Sequence, residues 1–508
     1  MKGKWLGFAA ACAVLAAWGV TVQADPPPLT LWSQQIGTSE QDRAIGIAVG
    51  AAGNIYITGY TEGDLGGPNQ GGYDAFVVKC NSDGAVQWTR QIGTSAGDCG
   101  TGIAVDGNGN SYITGWTSGD LGGPYQGGLT DAFVVKYDSG GTVQWSRQIG
   151  TSSSEEAYGI AVDGTGNIYI TGETWGNLGG PNQGVSDAFV VKYDSGGTVQ
   201  WTRQIGSSSY DDAYGIAVDG SGNSYITGST YGDLGGLNQG WRDAFDVKYD
   251  NGGTQQWARQ VGTAADDRAY GIALDGSGNR YITGWTEGDL GGPNQGYRDA
   301  FIVKSDSGGT VQWTRQTGSS SLDEAHGIAV DGSGNSYVTG FTSGDLGGPD
   351  QGGQDALVVK YDSGGTAQWT RQIGTISPVR AYGIAVDGSG NSYITGYTFG
   401  DLGGPNQGYS DAFIVAISTT PAGPGDSNVD GCTDGLDYVI WSSNYDPLTG
   451  GKAWWQGDSN GDGLVDGLDY VVWSSNCLQG CPGSPGAIPE PGTALLLSLG
   501  ALILARRR

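Results

Sequence analysis

The chain is poor in basic residues, and its charge is strongly one-sided. It has 24 Lys and Arg against 52 Asp and Glu, which gives a formal net charge of −28 over 508 residues. A surface of this sign repels phosphate backbones and anionic lipid, which excludes nucleic acid as the expected partner and favours cations. The acidic residues could also do no more than keep the protein soluble.

Histidine and methionine are almost absent, with one residue of each. A Ser-His-Asp triad would have to rely on His326 alone, and a zinc site would lack both a second histidine and a paired C-x-x-C motif. Carboxylate pairs such as Glu155 with Glu156 could act in a glycosidase, but they recur at a fixed spacing, whereas an active site needs one asymmetric constellation. We therefore predict a non-enzymatic protein, with a glycoside hydrolase or polysaccharide lyase as the alternative.

Cysteine is scarce, with six residues, and Cys12 lies in the segment interpreted below as a signal peptide. The other five are an odd number for an oxidising compartment. Cys80 ends one predicted strand and Cys99 follows the next, so a local disulfide between them is expected. One pair among the three remaining cysteines would leave a spare thiol. The pairing stays open for Cys80, Cys99, Cys432, Cys477 and Cys481.

Long hydrophobic runs stand out at the two ends of the chain. Lys2 and Lys4 precede an apolar run over residues 5–20, and Val22-Gln23-Ala24 forms the small-x-small pattern that precedes signal-peptide cleavage. We therefore predict a signal peptide over residues 1–24 and export from the cytoplasm.

At the other end, Ile488-Pro489-Glu490-Pro491 precedes the mostly apolar residues 494–505 and three terminal arginines. About twelve residues are too few to span a bilayer comfortably, and the arginines would stay cytoplasmic. This order resembles the PEP-CTERM sorting signal of Gram-negative and related bacteria, over residues 488–508. The resemblance implies a transiently membrane-inserted tail, a sorting enzyme that removes it, and delivery to the cell surface or extracellular matrix. A plain membrane anchor is the alternative.

Glycine is abundant, with 97 residues, and tryptophan recurs at a fixed period. The anchoring tryptophans are 56 or 57 residues apart, at Trp32, Trp88, Trp145, Trp201, Trp257, Trp313 and Trp369. In the third copy, four runs have strand character, over residues 158–162, 168–171, 188–192 and 199–203, and glycine-containing turns join them in pairs. Four antiparallel strands at a period of more than about 40 residues are typical of a β-propeller blade.

The two ends of the repeat array predict how the ring closes. Residues 29–35 form an isolated strand of the fourth type, and the last repeat stops after its third strand, at residues 412–417. If the first run completes the last blade, the ring closes with a strand from each end. We therefore predict an all-β fold, a seven-bladed β-propeller of four-stranded blades over residues 29–418.

The repeated pattern D-A-F-V-V-K-Y-D-x-G-G-x-x-x-W, followed by G-I-A-V-D-G-x-G-N-x-Y-I-T-G, resembles the SBBP family of bacterial β-propeller repeats. The resemblance covers seven copies. It implies a seven-bladed propeller in an extracellular or surface location, and it implies no common chemistry.

In a propeller, the loops from the fourth strand to the next first strand, and from the second strand to the third, share one face. Both are long here, so a binding site is expected on this face. Six carboxylates lie four residues before the Gly-Ile-Ala run, at Asp42, Asp98, Glu155, Asp211, Asp267 and Asp323. They could ring the axial opening and bind a cation or ligand, or each could cap its own loop by accepting backbone N–H bonds.

Aromatic residues follow the second strand of each copy, at Tyr60, Trp116, Trp175, Tyr231, Trp285, Phe341 and Tyr397. In copies three and four, Glu173 and Ser229 occupy the usual position and the aromatic residue stands two residues later, which keeps it on the same side of a strand. Exposed rings beside carboxylates would suit stacking on sugar faces. The rings could instead pack between blades.

After a linker at residues 419–425, a calcium-binding pattern appears twice. Each loop has oxygen donors at positions 1, 3, 5, 9 and 12, a glycine at position 6 and a backbone carbonyl at position 7, the spacing that brings hard oxygens around one Ca²⁺. The predicted ligands are Asp426, Asn428, Asp430, Cys432, Asp434 and Asp437 in the first loop, and Asp458, Asn460, Asp462, Leu464, Asp466 and Asp469 in the second.

Each loop runs into a short amphipathic helix, at residues 438–444 and 470–476. The duplicated loop and helix, over residues 426–477, resemble dockerin type I repeats. The resemblance implies a small α-helical, EF-hand-type module with two calcium ions and a cohesin-like partner. However, Gly435-Leu436 and Gly467-Leu468 stand where that family carries a Ser/Thr recognition pair, so the match supports calcium binding more than cohesin binding. Together these features predict a secreted or cell-surface scaffold whose propeller binds a cell-surface glycan or protein.

Overall fold

The structure, a computed structural model, describes residues 28–421 together with Val465, Asp469, Tyr470, Val472 and Trp473. Residues 28–421 form seven four-stranded antiparallel sheets, each of which is one blade of a propeller. The predicted signal peptide, the sorting tail and nearly all of the predicted calcium module lie outside the described residues. In the part of the chain that the structure describes, no helix is long and apolar enough to cross a membrane.

The strands lie in four layers from the axis outward. The innermost strands are β2 (Asp42–Val49), β6 (Asp98–Val105), β10 (Glu155–Val162), β14 (Asp211–Val218), β18 (Asp267–Leu274), β22 (Asp323–Val330) and β26 (Val379–Val386). The second strands are β3 (Ile55–Thr61), β7 (Ser111–Thr117), β11 (Ile168–Thr174), β15 (Ser224–Thr230), β19 (Arg280–Thr286), β23 (Ser336–Thr342) and β27 (Ser392–Thr398). The third strands are β4 (Asp74–Cys80), β8 (Asp131–Tyr137), β12 (Asp187–Tyr193), β16 (Asp243–Tyr249), β20 (Asp299–Ser305), β24 (Asp355–Tyr361) and β28 (Asp411–Pro421). The outermost strands are β5 (Val86–Ile92), β9 (Val143–Ile149), β13 (Val199–Ile205), β17 (Gln255–Val261), β21 (Val311–Thr317), β25 (Ala367–Ile373) and β1 (Pro28–Ile36).

The two ends of the repeat array meet in one sheet. Its strand order is β1-β28-β27-β26, so the first strand of the chain is the outermost strand of the seventh blade. Across this ladder Trp32 pairs with Ala416, and Ile36 pairs with Ala412. The predicted all-β, seven-bladed propeller and its closing strand are confirmed.

The strands reach further toward the long-loop face than the apolar pattern indicated. β10 begins at Glu155, whereas the predicted run began at residue 158, and β11 continues to Thr174. The Glu155 carboxylate accepts a hydrogen bond from Thr174 Oγ1 at 2.7 Å, and both side chains are buried. The ladder therefore continues through polar residues that satisfy each other, which hydrophobic periodicity does not detect.

Tight turns join the strands on the opposite face, which we call the hairpin face. In the third blade the Asp163 N–H donates to the Asn167 carbonyl at 3.0 Å. Gly166 has a φ of +85°, a left-handed conformation that glycine adopts without steric cost. These are the glycine-dependent hairpins that the sequence predicted.

The hydrophobic core lies between neighbouring blades. Val134 of the second blade belongs to one buried cluster with Ile168 and Tyr193 of the third blade. Equivalent clusters occupy the other blade interfaces, so each blade buries its faces against two neighbours. A single blade would leave these faces in water, which explains why the unit occurs as a closed ring.

Glycine lets the innermost strands approach one another at the axis. A Cβ added at Gly215 would lie 2.7 Å from the carbonyl oxygen of Tyr270 in the next blade. Each equivalent glycine is followed by an isoleucine, and together these residues line an axial cavity of about 200 Å³, with glycine at 46, 102, 159, 215, 271, 327 and 383.

The expected disulfide between Cys80 and Cys99 is wrong, because both are free, buried thiols. Cys80 ends β4 at the hairpin face, where it pairs with Ile55 and Val86. Cys99 lies near the start of β6 at the long-loop face, beside Trp116. The length of a strand therefore separates two residues whose Cα atoms a disulfide would need within about 7 Å.

We predict that Gly215→Ala destabilises the propeller by about 1–3 kcal/mol, because the new methyl group meets backbone that cannot move away without shifting a strand. The measurement is chemical denaturation followed by tryptophan fluorescence. Gly220→Ala is the matched control, since a Cβ at Gly220 meets nothing within 4 Å. Its expected effect is within about 0.5 kcal/mol. Equal effects of the two substitutions would contradict the steric explanation.

Candidate functional site

The long-loop face carries two loops per blade. In the fourth blade these are residues 231–242, which connect β15 to β16, and residues 262–266, which lead into the next blade. The remaining connections are the tight turns of the hairpin face. Only the long-loop face therefore offers enough irregular chain for a recognition surface.

The six predicted carboxylates are buried beneath this face and hold its loops. Asp211 is inaccessible to solvent, and its Oδ2 accepts hydrogen bonds from Ser207 N at 2.6 Å and from Ser207 Oγ at 2.8 Å. Burial nevertheless raises the Asp211 pKa above its usual value. The same loop contact is made by Asp42, Asp98, Glu155, Asp267 and Asp323. The arrangement is that of the loop-capping alternative, and the carboxylates do not line the axial cavity.

A second buried pair fixes the longer loop of each blade. In the fourth blade, Gln260 Oε1 accepts from Leu234 N at 3.1 Å, and its Nε2 donates to Asp243 Oδ2 at 3.2 Å. Asp243 Oδ2 also accepts from Gln239 N at 2.9 Å. The glutamine recurs at Gln35, Gln91, Gln148, Gln204, Gln316 and Gln372. The loops are thus pinned at several points and present their exposed residues on a rigid frame.

Every innermost strand has a β-bulge directly before its axial glycine. In the third blade the register shifts between Ala157 and Gly159, which leaves Tyr158 without a partner on β11. The same irregularity recurs in the other six blades. We call the seven residues at these positions the bulge ring: Ile45, Thr101, Tyr158, Tyr214, Tyr270, His326 and Tyr382. Bulges redirect side chains and are frequent near functional sites.

Five members of the bulge ring are aromatic and contact one another in series. The ring centres of Tyr158 and Tyr214 are 5.3 Å apart, and those of Tyr214 and Tyr270 are 4.9 Å apart. His326 is 4.6 Å from Tyr270 and 5.0 Å from Tyr382. These separations are those of favourable aromatic pairs. The sequence analysis missed this arc, although an aromatic residue directly before the Gly-Ile-Ala run in five of the seven copies was its signal.

Three acidic side chains gather beside this arc, between the third and fourth blades. Glu156 and Glu173 face each other across the ladder, and both accept from Tyr158 Oη, at 2.9 and 3.0 Å. Asp212 accepts from Ser186 Oγ at 2.8 Å. Burial and the hydrogen-bonded carboxyl of Asp212 raise the pKa of Glu173 to about 9, so the Glu173 carboxyl keeps its proton at neutral pH.

Among the predicted aromatic residues, Trp175 is exposed, Tyr60, Trp116 and Tyr231 are half-buried, and the others are buried. Trp175 and Tyr231 both contact Tyr210, with ring centres 6.0 and 5.8 Å apart. Tyr60 and Trp116 both contact Tyr73, at 5.2 and 5.6 Å. An aromatic residue of the adjoining loops thus bridges neighbouring blades in each case.

Trp285 is buried, with 1% of its surface exposed, and packs inside the propeller. The guanidinium groups of Arg268 and Arg298 lie 4.9 and 3.9 Å from the centre of its ring. All three residues belong to the fifth blade, so these cation–π contacts stabilise the long-loop end of that blade.

A row of exposed apolar side chains crosses the long-loop face. These residues lie two positions before the aspartate that begins each third strand. They form what we call the apolar crown: Leu129, Val185, Trp241, Tyr297 and Tyr409, with exposed fractions from 38% to 78%. Their backbone is held in place, since Trp241 N donates to Ala265 O at 3.3 Å and Tyr297 N donates to Ser321 O at 3.0 Å. The sequence analysis missed the crown because the position varies within a glycine-rich loop.

Among the described residues, no group of three His, Cys, Asp or Glu side chains could hold a metal ion.

Comparison with known proteins finds repeats of the same kind. The sequence model of the SBBP beta-propeller repeat matches seven segments, at residues 31–66, 87–122, 144–179, 200–235, 256–291, 312–347 and 368–403. The chain is 26% identical over 424 residues to Regulatory protein FlaEY of Caulobacter vibrioides, which covers 74% of this chain and 42% of that protein.

A second relative, the Uncharacterized WD repeat-containing protein L264 of Acanthamoeba polyphaga mimivirus, is 24% identical over 505 residues, covering 76% of this chain and 35% of that protein. The chain thus spans less than half the length of these curated relatives. Among solved structures, the Neurospora crassa Pan2 WD40 domain aligns with a TM-score of 0.43 and 11% identity, over 76% of this chain and 96% of that chain.

The acidic cluster predicts a specific pH dependence of stability. Glu173 keeps its proton in the folded protein up to about pH 9 but loses it near pH 4.5 when unfolded, so its contribution to stability falls as the pH rises between these values. Glu173→Gln should match the wild-type melting temperature near pH 4 and exceed it by on the order of 1–3 °C at pH 8.5. The measurement is differential scanning calorimetry across pH. The exposed Glu62→Gln should show no such divergence, and a parallel profile for Glu173→Gln would contradict the raised pKa of Glu173.

Proposed function

Because this chain carries seven repeats of the SBBP beta-propeller family, we propose that it is a non-enzymatic interaction platform that binds a protein partner through its long-loop face. Propellers of this kind give a rigid scaffold on which exposed loop residues vary while the framework repeats. The proposal rests on how this chain distributes its exposed aromatic residues.

One observation carries the proposal. Within the described residues, every exposed aromatic side chain lies on the long-loop face, at Trp175, Tyr210, Trp241, Tyr297 and Tyr409. Aromatic residues are enriched at the centres of protein interfaces, where they supply large contact areas at low entropic cost. The exposed apolar residues elsewhere are single aliphatic side chains on outermost strands, such as Val86 and Val311. Scattered residues of that kind need no functional explanation.

The acidic cluster supports a binding role over catalysis. Glu173 and Asp212 form an acid pair that no other blade interface of the described propeller repeats, and their carboxyl groups are in hydrogen-bond contact. Carboxyl pairs in glycosidases stand at least about 5 Å apart, with room for a sugar between them. The name of one relative, a regulatory protein, is compatible with a non-enzymatic role.

We also propose that the protein is secreted and displayed at the cell surface, and that residues 426–477 bind two calcium ions. The support is the export pattern of residues 1–24, the sorting pattern of residues 488–508, and the two loops with every ligand position filled. A cell-surface glycan is the second class of propeller ligand, and a cohesin-like protein is the candidate partner of the calcium module.

The combined variant Trp241→Ala/Tyr297→Ala/Tyr409→Ala should lose partner binding at least about tenfold, because each substitution removes a large exposed contact. We would select peptide ligands from a display library and measure their affinity for the full chain by biolayer interferometry. The control Val86→Ala/Val143→Ala/Val311→Ala removes apolar area of the outermost strands and should leave affinity unchanged. Ligands that bind the crown variant as tightly as the wild type would contradict the proposal. Binding to a glycan array, with no peptide ligand selected, would instead identify a glycan as the partner.

Calcium binding is tested by calorimetric titration of the full chain after removal of bound metal. Two sites are expected, and Asp426→Ala/Asp458→Ala should abolish both because each loop loses its first carboxylate ligand. The control Glu62→Ala/Asp83→Ala removes two acidic residues of the propeller and should retain both sites. Full calcium uptake by the first variant would instead locate binding in the propeller.

A further inference from the structure

The seven-fold repetition of the blade interface is broken at one place by three residues that meet. Asp246 lies on β16 of the fourth blade, and Arg280 and Ser305 lie on β19 and β20 of the fifth blade. The equivalents of Asp246 in the other blades are Val77, Val134, Val190, Ile302, Val358 and Ile414. The equivalents of Arg280 are Ile55, Ser111, Ile168, Ser224, Ser336 and Ser392. The equivalents of Ser305 are Cys80, Tyr137, Tyr193, Tyr249, Tyr361 and Ile417.

At other interfaces a tyrosine fills the space beside the tryptophan of the preceding blade. Trp201 and Tyr249 have ring centres 6.4 Å apart, and Trp313 and Tyr361 are 6.5 Å apart. Ser305 removes this ring between the fourth and fifth blades. Arg280 takes its place, with the guanidinium carbon 4.3 Å from the ring centre of Trp257.

The exchange leaves a cavity of about 320 Å³. Its polar lining consists of Asp246, Arg259, Gln260, Arg280 and Ser305. At roughly 30 Å³ per molecule of liquid water, this space could hold about ten waters or a small organic anion. Val311, which is 49% exposed, also borders the cavity and marks its outlet at the rim of the propeller.

Arg259 differs from its counterparts in how it is bound. The equivalent Arg203 donates from Nε to the Gly253 carbonyl at 2.6 Å and from Nη1 to the Thr202 carbonyl at 2.8 Å. Arg147 and Arg315 repeat this pattern. Arg259 makes only one hydrogen bond to protein, from Nη2 to the Gly308 carbonyl at 2.8 Å. Its remaining donors make no hydrogen bond to protein, and the side chain lines the cavity.

Arg280 is also incompletely satisfied, although it is 3% exposed. Its Nε is paired with Asp246 Oδ2, and its Nη1 lies 3.5 Å from the Asp306 carbonyl. The cavity lining thus contains two guanidinium groups and one carboxylate, which leaves an excess positive charge in a chain whose net charge is −28. Guanidinium donors without protein acceptors can form charge-assisted hydrogen bonds, so a ligand that accepts hydrogen bonds would be favoured here.

We propose that the cavity between the fourth and fifth blades binds a small oxyanion, a carboxylate or phosphate group, held by Arg259 and Arg280. The planar fork of a guanidinium matches the two oxygens of such a group and forms two parallel hydrogen bonds with it. Gln260 and Ser305 add further polar groups at the walls. The site lies at a blade interface, shares no lining residue with the apolar crown or the bulge ring, and does not depend on the proposed function.

The chain itself supplies the best variant for the test. Asp246→Val/Arg280→Ser/Ser305→Tyr recreates the interface between the third and fourth blades, where Val190, Ser224 and Tyr249 meet. This variant should fold, because replacing a buried ion pair by well-packed residues is often neutral or stabilising. It fills the cavity with a tyrosine ring and removes one of the two guanidinium groups.

Inorganic phosphate and citrate, each titrated into the full chain by calorimetry, are the probes for the two oxyanion classes. One site is expected for at least one probe, with affinity reduced at least tenfold in the triple variant and in Arg259→Gln. Arg203→Gln, which changes the fully bonded counterpart, should bind like the wild type. The proposal would be overturned if the triple variant bound the probes as tightly as the wild type. It would also be overturned if neither probe bound at about ten times its millimolar physiological concentration. Should the triple variant fail to fold, Arg259→Gln decides alone, since Arg259 holds only one protein acceptor.

Discussion

The close approach of backbone to glycine at the axis is the contact on which the rest of this propeller depends. In six blades the nearest group to the axial glycine is a main-chain carbonyl or amide of the next innermost strand, as between Gly215 and Tyr270 or between Gly327 and Tyr382. The carbonyl at Gly215 belongs to a bulge residue. The bulge therefore does two things at once: it lets neighbouring strands fit together, and in five blades it places an aromatic side chain in contact with the bulge residue of a neighbouring blade. A ring with larger residues at these positions would need a wider axis and a different blade interface.

The repeated hydrogen bonds and the variable exposed residues have separate tasks. Buried side chains such as Asp211, Asp243 and Gln260 recur around the ring and satisfy the same loop atoms each time. Positions of the apolar crown, in contrast, hold glycine, leucine, valine, tryptophan or tyrosine on the same backbone. Because the loop conformation is maintained from beneath, the residue at its surface can change without loss of the fold.

The fold could be predicted from the sequence because its determinants are local. The tryptophan period, the glycine turns and the partial repeats at the two ends lie within single units, and they indicated the blade count and the closing strand. Features that depend on register were not accessible in the same way. The bulge at Tyr158 shifts one residue out of a ladder, and the apolar alternation on either side hides it. Cys80 and Cys99 are near in sequence but lie at opposite ends of their strands. Asp246, Arg280 and Ser305 belong to three different strands, and only the pairing of neighbouring blades brings them together.

The closing ladder also places both ends of the described propeller on the same face. Pro28 pairs with Pro421, so both ends of the described propeller lie side by side on the hairpin face. Any segment attached at either end leaves from a single point on that side. A segment that attaches the propeller to another domain or to a surface would therefore hold it from the hairpin face. The long-loop face, with its exposed aromatic residues, would be directed away from the attachment point and remain accessible.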